Sequence, residues 1–98
     1  MLTGKQKRYL RSLAHHLDPI FQVGKAGVNE AQLRSISEAL DVRELVKISI
    51  LTSCEDDRFE VSEALASGTG AELVQTIGKT VVLYKQAREE KDRKIQLP

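Results

Sequence analysis

Apolar residues at Leu10, Leu13, Ala14 and Leu17 recur three and four positions apart, a spacing that lines one stripe of an amphipathic helix. Thr3 and Gln6 stand at capping-box spacing, where each side chain satisfies a backbone N–H left free at a helix start. The helix is predicted to run to about His16 and to break at Asp18-Pro19. Ile20-Phe21-Gln22-Val23 predicts a short strand, ended by Gly24-Lys25-Ala26-Gly27. Asn29 is suited to cap a second helix, with Gln32 at the capping-box position and Leu33, Ile36 and Leu40 as the buried stripe. From Leu45 to Leu51 the period becomes two: Val46, Ile48 and Ile50 face one way, Lys47 and Ser49 the other, as in a half-buried strand. Asp56-Asp57 supplies negative charge at the start of a third helix, where the dipole favours it. That helix should bury Val61, Ala64 and Leu65 and stop at Gly68-Thr69-Gly70; Phe59 falls off its stripe. Residues 72–77 and 80–84 predict two strands joined by a two-residue turn at Gly78-Lys79.

The order αβαβαββ, with no internal repeat and no linker, predicts one α/β domain with a four-stranded mixed sheet over residues 1–85. Residues 86–98 are charged and weakly periodic, and are expected to form a tail or a frayed helix. At 98 residues there is room for one core and no second domain. Cys54 is the single cysteine, so no internal disulfide can form. No apolar run follows the basic N-terminus, and the longest such run, Val81-Val82-Leu83-Tyr84, is far too short for a membrane span. A soluble cytoplasmic protein that makes no membrane contact is the expectation.

The net charge of +1 conceals an uneven distribution. Residues 1–25 hold five cations against one acid, residues 26–74 four against ten, and residues 75–98 six against three. Such a molecule can offer a basic face to a polyanion while another side stays acidic. Arg8, Arg11 and His15 share a helix face away from the apolar stripe, Lys5 projects on the exposed side, and no acid lies within that helix. Gly24-Lys25-Ala26-Gly27 joins a strand to a helix N-terminus. There two glycines permit close backbone approach, free N–H groups point outward, and Lys25 adds a full charge. The pattern is suited to a phosphodiester backbone and resembles the GXXG loop of KH domains. Lys79, at the hairpin tip, could reach a phosphate if the tip lies near that loop.

Catalytic patterns fail. Gly78-Lys79-Thr80 lacks a Walker A glycine, since position 73 is Leu73, and a strand follows where a helix is needed. His15-His16 has no partners at metal-ligand or triad spacing, and Glu55, Asp56 and Asp57 read as cap and dipole partners. No catalytic residue, metal site or cofactor is assigned. With two phenylalanines, two tyrosines and no tryptophan, a base-stacking platform is not evident.

Four stretches carry a family resemblance: Leu2-Thr3-Gly4-Lys5-Gln6-Lys7-Arg8-Tyr9-Leu10-Arg11, Val23-Gly24-Lys25-Ala26-Gly27-Val28, Glu44-Leu45-Val46-Lys47, and Ala71 through Lys85 with Gln75-Thr76-Ile77-Gly78-Lys79-Thr80 at its centre. In this order they resemble the bacterial single-domain members of the CRM family, named for chloroplast RNA splicing and ribosome maturation. The resemblance implies a fold similar to the C-terminal domain of translation initiation factor three. It also implies association with large-subunit ribosomal RNA or its precursor particles. Carried onto this chain, the RNA-binding residues would be Lys5, Arg8, Arg11, Gly24, Lys25, Ala26, Gly27 and Lys79. Asn29 stands where threonine is common and caps equally well, whereas Lys85 stands where arginine is common and lacks its bidentate phosphate contact. The expectation is a monomeric, non-enzymatic RNA-binding protein, with ribosomal-protein contacts as a further possibility. The alternative is an adaptor that docks through its acidic middle onto another assembly factor or ribosomal protein.

Overall fold

The computed structural model describes residues 2–98. The Thr3 hydroxyl accepts from the Gln6 N–H at 3.1 Å and the Gln6 side-chain oxygen accepts from the Thr3 N–H at 3.0 Å, closing the predicted box. Helix α1 (Gly4–Ala14) follows and ends two residues earlier than predicted. Its exit tightens, with His16 and Leu17 donating to the carbonyls three residues back. Leu17 therefore leaves the buried stripe and is 39% exposed. Strand β1 (Phe21–Val23) comes next, then α2 (Glu30–Arg43), whose first turn Asn29 caps by accepting from the Gln32 N–H at 2.9 Å. The reciprocal bond of a capping box does not form. Gln32 Nε2 instead donates to the Gln22 carbonyl at 2.6 Å and ties the helix to β1.

Strand β2 (Leu45–Ile50) leads to α3 (Arg58–Thr69), capped by Asp57, whose Oδ2 accepts from the Phe59 and Glu60 N–H groups. Ala64, expected in the core, is only partly buried; the buried stripe is Val61, Ser62, Leu65, Ala66 and Thr69. Two hydroxyls fit there because each finds an acceptor: Ser62 donates to the Arg58 carbonyl or shares its proton with Thr76 Oγ1 at 2.7 Å, and Thr69 donates to the Leu65 carbonyl. α3 runs through Gly68 and ends at Thr69, where Gly70 takes the left-handed C-cap; the lack of a side chain at Gly68 lets α2 come close, since a Cβ there would lie 2.6 Å from Leu33 Cδ1. Strands β3 (Glu72–Ile77) and β4 (Thr80–Tyr84) match the predicted bounds.

The sheet order is β1-β2-β4-β3, with β1 parallel to β2 and the other pairs antiparallel, so the sheet is mixed as expected. α2 and α3 cover one face, where Ile36, Leu40, Val61 and Leu65 pack against Val46, Ile48, Val81 and Leu83. The other face is covered in part by α1, with Leu10 and Ala14 against Leu45, Val74, Val82 and Tyr84. Each fully buried Leu, Ile or Val contributes ~1.5–3 kcal/mol, so the stripes of the three helices dictate this layering. A bulge interrupts β3. Leu73 pairs with Leu83 but Gln75 pairs with Val82, so Val74 is the extra residue. In consequence Val74 and Gln75 both point to the α1 side.

Residues 86–98 carry a 3-10 turn at Glu90–Asp92 and fold back onto this face, where Ile95 and Leu97 join the second core and Ala87 is buried. Glu44 organises them. It is wholly buried, at the C-cap of α2, with φ +64°. Its Oε2 accepts from the Ala87 N–H at 2.9 Å, and its Oε1 from those of Lys94 at 2.6 Å and Ile95 at 3.0 Å. Burial works to raise this carboxyl's pKa, but the three amides and the nearby Arg93 charge outweigh it and hold the group below its ordinary value. Burial, and then the charge of Glu44, push the Tyr84 hydroxyl up.

Candidate nucleic-acid interface

Parallel β1–β2 pairing and the β3–β4 hairpin bring the ends of all four strands to one edge of the molecule. The Leu51 N–H donates to the Val23 carbonyl at 2.8 Å, and the neighbouring Ile50 N–H to the Lys79 carbonyl at 2.7 Å. The Gly24–Gly27 loop and the Gly78-Lys79 tip are thus tethered through the last residue of β2 and the residue that follows it. Lys25, Ala26 and Lys79 are exposed there.

The glycine loop differs from the cradle of free N–H groups expected of it. The Gly27 N–H turns inward and donates to the Gly24 carbonyl at 2.9 Å. Gly27 adopts φ +70°, which favours glycine, and a Cβ on it would lie 2.9 Å from Asp56 Oδ2, so the exposed Asp56 side chain would have to turn aside for any larger residue. That carboxylate is also an electrostatic fact. With Glu60 it lines a cleft beside Val28, which makes the α3 flank of the loop acidic. Approach by a phosphate is favoured from the other flank, across the sheet face that α1 shares.

On that face α1 carries Lys5 and Arg8 exposed, Arg11 with a partly buried stem, and His15 at the C-cap. Among the described residues none of Lys5, Arg8, Arg11, Lys25 and Lys79 forms an ion pair; the pair found joins Lys91 to Glu89 at 3.9 Å. Lys7, on the opposite flank of the helix, lines a cleft with Glu63 and Glu72. α1 runs alongside β3, so its C-terminal half points to the edge where the loop and hairpin tip meet.

Two further cations belong to this region. Lys47 projects beside Arg11 and His15, and its ammonium donates to the Leu17 carbonyl at 3.1 Å. Strand alternation already turned it away from the α2–α3 core, so a signal for it existed. Arg58 donates to the Gly78 carbonyl at 3.1 Å and lies 4.8 Å over the ring of Phe59, which is 57% exposed. Nothing in the sequence pairs Arg58 with a hairpin tip twenty residues away. Lys85, by contrast, is structural: its ammonium donates to the Thr69 carbonyl at the C-terminus of α3, where a cation is favoured.

The chain is 60% identical over the full length of both chains to the probable RNA-binding protein YqeI of Bacillus subtilis. It is 39% identical to an RNA-binding protein of Haemophilus influenzae, over 99% of this chain and 95% of that one. A solution structure of a Staphylococcus aureus protein proposed to bind RNA superposes with a TM-score of 0.80 at 51% identity, covering 100% of both chains. Residues 2–85 match the CRS1 / YhbY (CRM) domain, and the chain belongs to that family.

Proposed function

We propose that this chain is a non-enzymatic RNA-binding protein that contacts ribosomal RNA, as an assembly factor of the large subunit, through α1 and the glycine loop. The observation that carries the reading is the run of cations Lys5, Arg8 and Arg11, which form no ion pair among the described residues, on a helix whose C-terminal half lies toward the edge that carries Lys25 and Lys79. Unpaired cations are available to phosphates, and release of condensed counterions then supplies most of the affinity. The names of the relatives support RNA as the ligand class.

Arg11→Glu and Lys25→Glu test the surface. Both side chains lie outside the two buried clusters, so each variant should fold and bind large-subunit ribosomal RNA at least about tenfold more weakly. Affinity unchanged in both folded variants refutes the surface. In sucrose gradients the protein should sediment with large-subunit precursors at low salt and leave them at high salt. Failure to co-sediment at low salt removes the ribosomal part of the proposal.

The second reading, an adaptor, draws on charge placement: Glu30 and Glu38 of α2 and Glu60 of α3 are exposed on helices that cover the sheet face opposite α1. It expects salt-tolerant binding to a basic protein and little affinity for naked RNA, and both faces can be used at once.

A further inference from the structure

We propose that the groove between the C-terminal half of α1 and the uncovered part of the sheet holds one unpaired nucleotide of the bound RNA, with its base between His15 and Gln75. The inference deepens the RNA-binding reading and rests on it.

The groove exists because α1 stops at Ala14, leaving the sheet beyond Val82 without a covering helix. Its volume is about 380 Å³, toward the small end of ligand sites, which run to ~300–1,000 Å³. Arg11 and Lys47 bring positive charge to it, and no carboxylate lines it. The neighbouring clefts differ: Asp18 lines one beside Lys47, and Asp56 with Glu60 lines another beside the glycine loop. The Lys47 ammonium is held in place by the Leu17 carbonyl. An anion is therefore the favoured occupant.

The remaining lining extends the fit from a bare phosphate to a nucleotide. Ala14, Val82 and Ile77 are apolar, and Ile77 is 58% exposed, unusual for a large aliphatic side chain with nothing to cover it. The His15 ring is exposed and makes an edge-on contact with His16, centroids 5.5 Å apart at 78°. A base can stack on such a ring or on the Arg11 guanidinium. Gln75 supplies the recognition element. Its carboxamide makes no hydrogen bond among the described residues, and it is the β3 bulge that turns it into the groove. Without the extra residue Val74, strand alternation would aim Gln75 at α3. A carboxamide offers a donor and an acceptor in one plane, which suits the edge of a base.

On the same sheet face Ser49 and Thr80 pair across strands between the groove and the loop. From Lys47 to Leu51 is about 13 Å along β2 at the usual strand rise. Leu51 Cδ1 lies 3.5 Å from the Cβ position of Gly24. A strand of RNA leaving the groove would cross this polar strip to reach Lys25 and Lys79.

The test uses the full chain and two RNA hairpins, fully paired in one case and carrying one bulged 4-thiouridine in the other, read by fluorescence anisotropy. The wild type should favour the bulged RNA by about tenfold. His15→Ala and Gln75→Ala should each reduce that preference about fivefold or more and leave affinity for the paired hairpin unchanged. His15→Phe should retain the preference because a base stacks on any flat ring, while His15→Lys should lose it despite its charge. Photocrosslinks from the bulge should fall on groove residues. Melting curves identify folded variants, and exposed His15 tolerates replacement even if Gln75 does not. Equal loss on both RNAs, no loss in a folded His15→Ala, or crosslinks confined to Lys5 and Lys25 would each overturn the groove. A wild type that binds neither hairpin nor ribosomal RNA overturns the RNA-binding reading as well, whereas one that binds both hairpins equally sinks only the groove.

Discussion

Replacing Glu44 by alanine removes one carboxylate and orphans three amides, those of Ala87, Lys94 and Ile95. Hydrogen bonds to a charged group contribute ~1.5–3 kcal/mol each, which would total several kcal/mol if the C-terminal segment stayed in place. It need not stay. Once released, the segment returns its amides to water, so the loss is bounded by what docking contributes: burial of Ala87 and part of Ile95 and Leu97, on the order of 3 kcal/mol. For a domain of this size that corresponds to a fall of about 12–24 °C in melting temperature. Backbone strain sets the order of variants. Glu44 holds φ +64°, a sparsely populated conformation that costs a residue with a Cβ about 1–3 kcal/mol, so Glu44→Gly should melt above Glu44→Ala and below the wild type. The dependence on pH has a definite sign. Because the folded-state pKa is depressed, the carboxylate's contribution is complete above its unfolded value of about 4.3 and fades as pH falls through the folded value. The gap between wild type and Glu44→Gln should therefore be full at pH 7 and narrow below about pH 4. Calorimetry reads the stability, and hydrogen exchange reads the three amides directly. If Glu44→Ala melts within a few degrees of the wild type with those amides still protected, the carboxylate does not hold the segment and the reasoning fails.

Gly68→Ala should destabilise by ~1–3 kcal/mol although alanine favours a helix, because its Cβ would fall 2.6 Å from Leu33 Cδ1. Gly4→Ala meets open space in the first turn of α1 and should be neutral or stabilising by up to ~1 kcal/mol. Urea midpoints showing the reverse order would refute the close approach of α2 and α3. Asp56→Asn should tighten RNA binding about two- to fivefold at low salt, the effect of one like charge ~4–10 Å away at water-like dielectric, and the gain should fade as salt rises. Unchanged affinity would mean that the acid does not face the bound phosphates.

Much of this protein is set by local chemistry that needs no third dimension. Thr3 with Gln6, Asn29 and Asp57 mark three helix starts because a cap acts within one turn. Leu45–Ile50, Glu72–Ile77 and Thr80–Tyr84 declare themselves by alternation and by the turn between the last two. The cations of α1 and the glycines of the loop are equally visible, as residue types at a given spacing. Partnerships between distant segments are not. Gln32 spans a capping box in sequence but bonds the Gln22 carbonyl, because β1 lies within its reach. Ser62 takes a core position from Ala64 because Thr76 of β3 meets it from the sheet face beneath α3. Asp56 reaches the glycine loop, Arg58 the hairpin tip, and Glu44 three amides more than forty residues away. The bulge at Val74 reverses the facing of Gln75, which no alternation rule would reveal. Caps, stripes and turns depend on neighbours a few bonds away, so the amino-acid order alone determines them. Which buried polar group finds a partner, and which face of the sheet stays bare, depends on the whole chain closing, so only the tertiary structure decides them.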